Sequence, residues 1–190
     1  AHELMHSPVT VSLLLFSAAS ALGLAILVLT RNPYKSTHQI FAALSLVLMF
    51  WALGVMCVTL SDTEETARMW LTLTFVASSF LPPMFYHFVG LFARPRFEGI
   101  RWLLALLYAT AVGFVLASPT KLYVQQVQVF ENRPPSVVFG PVLALYGLCC
   151  VVTMVFMATN LFRKLRAASG VERRQIQHVI LGVFTCTILG

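Results

Sequence analysis

Two adjacent prolines, a tyrosine and a histidine sit together in the stretch FLPPMFYHFVGLFARPR, residues 80–96, which is otherwise apolar until its closing arginines. Pro82 and Pro83 have no backbone N–H, so in a helix the carbonyls four residues upstream, on Ser78 and Ser79, lose their usual donors. In hydrocarbon those carbonyls need a local partner: a serine hydroxyl, a water or a neighbouring helix. The Ser78 and Ser79 hydroxyls are placed to act as that partner. The stretch therefore predicts a helix kinked near mid-membrane, with Tyr86 and His87 about one turn further on. His87 lies well inside an apolar block, where it is either a neutral imidazole bonded to a facing helix or a ligand-contacting, pH-sensing group. Pro82, Pro83, Tyr86 and His87 form the candidate ligand-binding cavity, with Trp51 and Tyr146 as further lining.

Other chemistry is hard to find. There is no P-loop, dinucleotide fingerprint, nucleophile elbow or zinc-spaced Cys and His set, so no catalytic residue, metal site or cofactor is expected. His2 and His6 are four apart but belong to a terminus expected to fray. Cys57, Cys149, Cys150 and Cys186 all fall in apolar blocks and are expected to act as packing residues. No Asp, Glu, Lys or Arg lies inside an apolar block, whereas ion-coupled transporters generally need such groups.

The elements that must position the candidate cavity are membrane spans. Of the 190 residues 58% are hydrophobic and only 11% are charged, against about 25% charged in an ordinary soluble domain. Apolar stretches predict spans at about 9–30, 39–60, 66–93, 101–118, 138–162 and 172–190, the last incomplete, in an all-α polytopic helix bundle. The net charge of +6 raises the question of nucleic acid, and its distribution answers it. Ten of the 13 basic residues lie in the connections after the first, third and fifth spans. That bias is the positive-inside pattern: an external N-terminus, those connections in the cytoplasm, and no nucleic-acid partner. Arg163, Lys164, Arg166, Arg173 and Arg174 are expected to anchor the fifth connection to the anionic inner leaflet.

Local signals sharpen the boundaries. Ser36 with Gln39, Ser61 with Glu64 and Ser169 with Glu172 have capping-box spacing where spans two, three and six begin. Small residues at four-residue spacing, Ser17, Ala21 and Ala25 and beside them Ala19 and Gly23, suggest a close helix-packing seam in span one. The long connection over 119–136 holds KLYVQQVQVFENRPP, whose Val, Tyr and Gln content predicts a short hairpin or cap over the bundle.

Three stretches, FLPPMFYHFVGLF, VVFGPVLALYGL and ASGVERRQIQHVILG, together with the loop pattern, resemble the N-terminal seven-helix membrane region of bacterial sensor histidine kinases. The resemblance covers nearly the whole chain. It implies a sensory domain in the bacterial inner membrane, working as the input of a two-component receptor and relaying a signal to a cytoplasmic output domain. On that topology a seventh span and the output domain are expected to follow residue 190. The phosphoacceptor histidine and ATP-binding domain are not among these residues, so no kinase residue carries over. The expected partners are the lipid bilayer, a small-molecule ligand and a second copy, as a homodimer through the full-length receptor. The rival functions are a small-molecule or lipid transporter, expected to show broken helices in both halves, and a membrane scaffold subunit working through the small-residue seam.

Overall fold

The computed structural model describes residues 8–92, 100–130, 133–170, 173–174 and 176–177. Among the described residues the helices are α1 Pro8–Arg31, α2 Ser36–Thr59, α3 Glu64–Ser79, α4 Leu81–Phe92, α5 Ile100–Ala117 and α6 Pro141–Ala167, and residues 170, 173–174 and 176–177 are also helical. An antiparallel hairpin, β1 Val124–Phe130 and β2 Arg133–Phe139, joins α5 to α6. Three of the helices, α1, α2 and α6, are long and apolar enough to cross a membrane, and α5 is a shorter apolar helix. At about 1.5 Å per residue the 24 residues of α1 extend about 36 Å, enough for the hydrocarbon core. Outward-facing Leu13 and Phe16 on α1 and Leu148, Val151 and Val155 on α6 remain exposed, as suits side chains meeting lipid.

α3 and α4 together occupy the predicted third span, and they are two helices separated by Phe80. Among the described residues α1, α2 and α6 thus coincide with predicted spans and are long enough to cross, while α5 and the α3–α4 pair fall in predicted spans as shorter helices. The predicted sixth, with Glu172, His178 and Cys186, lies almost wholly outside the described residues, as do His2, His6, Arg94 and Arg96. At the other end of that connection, Arg163 is exposed one residue before the last turn of α6, Arg166 is exposed and Lys164 half-buried within it, and Arg173 and Arg174 are exposed beyond it.

Two of the capping boxes are not formed. The Lys35 carbonyl already accepts from His38 N and Gln39 N, so Lys35 rather than Ser36 occupies the cap position, and the Gln39 side chain donates to Pro33 O at 2.9 Å. At α3 the first helical bond runs from Ala67 N to Thr63 O. Thr63 is therefore the cap, accepting from Thr66 N at 3.2 Å. Ser61 instead closes the end of α2, donating to Cys57 O at 2.7 Å. The third box includes Glu172, outside the described residues.

The seam of α1 also shifts. Ala18 and Ala25 are buried and Ala21 is half-buried, while Ser17, Ala19 and Gly23 are exposed. Positions 18, 21 and 25 follow a 3–4 spacing that keeps one helical stripe, which the mixed set 17, 19 and 23 does not. α2 in turn approaches α3 closely: a Cβ on Gly54 would collide with the Thr74 hydroxyl.

The hairpin forms the predicted cap and is tied down at both ends. Gly140 N donates to Tyr123 O at 2.8 Å and Val142 N to Leu122 O at 3.2 Å, and a Cβ on Gly140 would strike the Leu122 carbonyl. Arg68 on α3 donates to Val124 O at 3.0 Å and to Gln125 O at 3.3 Å. Beneath it Ala67, Leu71, Phe114, Tyr123, Val124 and Val127 form a core cluster. A second cluster at the opposite end gathers Tyr86, Val89, Leu107, Met157, Leu161 and Ile176. α6 begins at Pro141, in the first turn where the missing N–H costs nothing.

Candidate functional site: a broken helix latched to its neighbour

The break at Phe80 follows from the proline pair. Pro82 cannot donate to Ser78 O and Pro83 cannot donate to Ser79 O, so the regular bonds stop here. Phe80 N turns back to Ala77 O at 3.2 Å, and the helical pattern restarts when Met84 N donates to Phe80 O at 3.1 Å. The two serine hydroxyls do not repair the break as the sequence suggested. Ser78 Oγ and Ser79 Oγ both donate to Phe75 O, at 3.1 and 2.7 Å, because a hydroxyl on a helix reaches the carbonyl one turn back.

The repair comes from α6. Tyr146 Oη donates to Ser78 O at 2.8 Å, closing on the carbonyl that Pro82 leaves without a partner. Tyr146 is held from several sides: its ring stands edge-on to Phe114 at 5.3 Å and lies 6.5 Å from Tyr123, and its hydroxyl is also bonded to the Cys150 side chain one turn along α6. Tyr123, in the turn before β1, is fully buried against Phe75 at 4.4 Å, and its hydroxyl has no hydrogen-bond partner among the described residues. Burial pushes the Tyr123 phenol above its usual range, and the neighbouring Cys150 adds to the shift.

Below the break the other predicted residues separate. Tyr86 is buried and bonds the Asn160 side chain on α6. His87 faces α5, with Nδ1 3.3 Å from Tyr108 Oη and the two rings perpendicular at 6.2 Å. Trp51 is half-buried on α2 and is no part of this hydrogen-bonded set. Of the six cavity candidates, then, Pro82, Pro83 and Tyr146 belong to one junction, while Tyr86 and His87 tie α4 to two different helices. Tyr108 and Asn160 went unnoticed in the sequence, Cys150 was read only as a packing residue and Tyr123 only as part of the hairpin connection. A single polar group in a run carries no mark of its partner, and only the fold shows which of them face the break. Among the described residues no group of His, Cys, Asp or Glu could hold a metal ion.

What the arrangement offers is a helix with a discontinuity whose Ser78 carbonyl accepts from a side chain on another helix. The missing bonds at a proline pair are a recognised cause of a break in a helix, and here a side chain of α6 bridges it.

Comparison with the curated proteins gave no match, and comparison with the solved structures gave none. A family model described as the N-terminal 7TM region of histidine kinase matches residues 13–190, which include every helix from α2 onward and most of α1. The chain belongs to that family of multi-pass membrane regions.

Proposed function

We propose that this chain is the sensory input domain of a bacterial two-component receptor, lying in the cytoplasmic membrane with its N-terminus and hairpin outside. The family match supports this reading, and the observation that carries the mechanism is the Tyr146 bond to the Ser78 carbonyl across the proline break. A stimulus that favours release of this bond loosens α3 from α6 and reorients α4. α4 shares its buried surface with α5, α6 and the segment around Ile176, so the change reaches the end of the bundle from which the output domain would continue. The stimulus acts by binding one helix packing better than the other.

The test uses the native gene product in inverted bacterial membrane vesicles. Its mass should exceed that of these 190 residues, and ATP should phosphorylate it on histidine. A native product with no cytoplasmic output domain sinks the proposal.

A further inference from the structure

A cavity of about 670 Å³ opens between the first turn of α3 and the hairpin, well away from the proline break. Glu64, Glu65 and Arg68 line it from the helix, Lys121 from the turn before β1, and residues 125–128 from the strand itself. A regular strand sends successive side chains to opposite faces, so four consecutive residues cannot share one wall. Val127 accordingly turns into the core beneath the hairpin while Gln125, Gln126 and Gln128 are exposed, and the adjacent exposure of Gln125 and Gln126 coincides with a slip in the β1–β2 pairing between Val124 and Gln126. Such irregularities re-aim side chains.

The wall they make is polar, with three glutamine amides and a single apolar residue, Val127. Across it stand two carboxylates and two cations that do not neutralise one another. The side chains of Glu64, Glu65 and Lys121 form no hydrogen bond or ion pair among the described residues. Arg68 uses one terminal nitrogen on the Val124 and Gln125 carbonyls, which pins the cavity's two walls together.

Small-molecule sites of this size are mostly apolar, and this one is the reverse, which disfavours a lipid or aromatic ligand. Charges of both signs disfavour a simple ion: Lys121 and Arg68 would repel a divalent cation, Glu64 and Glu65 an anion. We propose that this cavity binds a small zwitterion, a free amino acid or short peptide, with its carboxylate toward Lys121 and Arg68 and its ammonium toward Glu64 and Glu65. The glutamines hydrogen-bond the remainder. If the sensor reading holds, this site is its input. One wall, α3, carries Ser78 in its last turn, and the other, the hairpin, continues through Gly140 into α6 and Tyr146, so a ligand spanning the walls acts on both partners of the latch.

The full-length protein in nanodiscs is titrated calorimetrically with individual L-amino acids and with alanylalanine. At least one should bind saturably, and binding should be lost when either its amine is acetylated or its carboxylate is amidated. Lys121→Met and the pair Glu64→Gln, Glu65→Gln should each weaken it about tenfold or more. All three side chains are exposed, and the unfolding midpoint of each variant checks that the fold is kept. Should a variant not fold, the blocked ligands on the unaltered protein decide the matter. No saturable binding at millimolar concentrations overturns the proposal, as does binding that survives blocking or the substitutions. Phosphorylation in vesicles is read separately: binding without any change in phosphorylation leaves the site standing and counts against the sensor reading, and the opposite result does the converse.

Discussion

Where α2 meets α1 and α3, small residues let the helices approach closely; where α3 and α4 meet α6, hydrogen bonds are added to apolar packing of Val89 on Met157 and Leu161. On the first side Ala18 and Ala25 are buried along α1, Ala42 and Ala52 along α2, and Gly54 admits the Thr74 hydroxyl. Packing of this kind has no directional partner to gain or lose, and any added volume is resisted over the whole contact. On the second side Tyr146 reaches Ser78 O and Tyr86 reaches Asn160, each a single bond that is either made or broken. On the proposed mechanism the close-packed half stays fixed and the latched half moves.

The strongest way to break that distinction is to add volume to the fixed half. Gly54→Leu must displace Thr74, whose hydroxyl donates to Trp70 O at 2.7 Å, and Thr74 is buried with no free side to turn to. Overpacking of this kind costs about 2–3 kcal/mol, measured by unfolding in mixed micelles with increasing SDS. A loss below about 0.5 kcal/mol would mean that α2 and α3 slide freely, and the division would fail.

On the latched half the expected losses are smaller and the functional effects larger. Tyr146→Phe keeps the ring against Phe114 and removes only the donor to Ser78 O. Interhelical bonds in membranes are worth about 1 kcal/mol, so the unfolding free energy should fall by about that much while basal phosphorylation of the native product changes. A stability loss with unaltered output would leave the bond structural. Pro82→Ala with Pro83→Ala goes further towards a straight helix by restoring donors to the Ser78 and Ser79 carbonyls, in competition with Tyr146. Net stability should move by less than about 1 kcal/mol, because one satisfied carbonyl replaces another. Membrane insertion should persist and output should shift; constant output across the stimulus range removes the break from the mechanism.

The break and the hairpin were both legible in the sequence, for a physical reason. Proline's missing N–H and a run of Val, Tyr and Gln act through the local backbone, whose preferences are written residue by residue. The partner of the break was not legible. Tyr146 lies 68 residues from Ser78, and nothing in an apolar run marks which of its polar groups will face a given carbonyl. The serine hydroxyls misled because they lay nearest in sequence, and a helix turns them back onto Phe75. Capping boxes failed for a related cause: spacing locates a helix start to within a residue or two, and at Lys35 and Thr63 the backbone bonds chose a neighbour. The mixed-charge cavity escaped notice because its residues come from α3, a turn and a bulged strand, which only tertiary structure brings together.

The smallest effect is expected where the two halves give way to the surroundings. Ala19 and Gly23 carry the small-residue spacing of a helix interface, yet both are exposed, and a Cβ on Gly23 would meet nothing within 4 Å. Ala19→Leu with Gly23→Leu should therefore leave unfolding within about 0.5 kcal/mol of the parent, since the added side chains only lengthen a lipid-facing surface and leucine favours the helix over glycine. Cross-linking of the native protein in membranes then decides what this stripe does. If cross-linked assemblies vanish while phosphorylation still responds, α1 offers a working surface to another helix, and the scaffold function gains ground. If assemblies and output are both unchanged, the small residues of α1 act only through Ala18, Ala21 and Ala25, and α1 serves to hold α2 still against the half that moves.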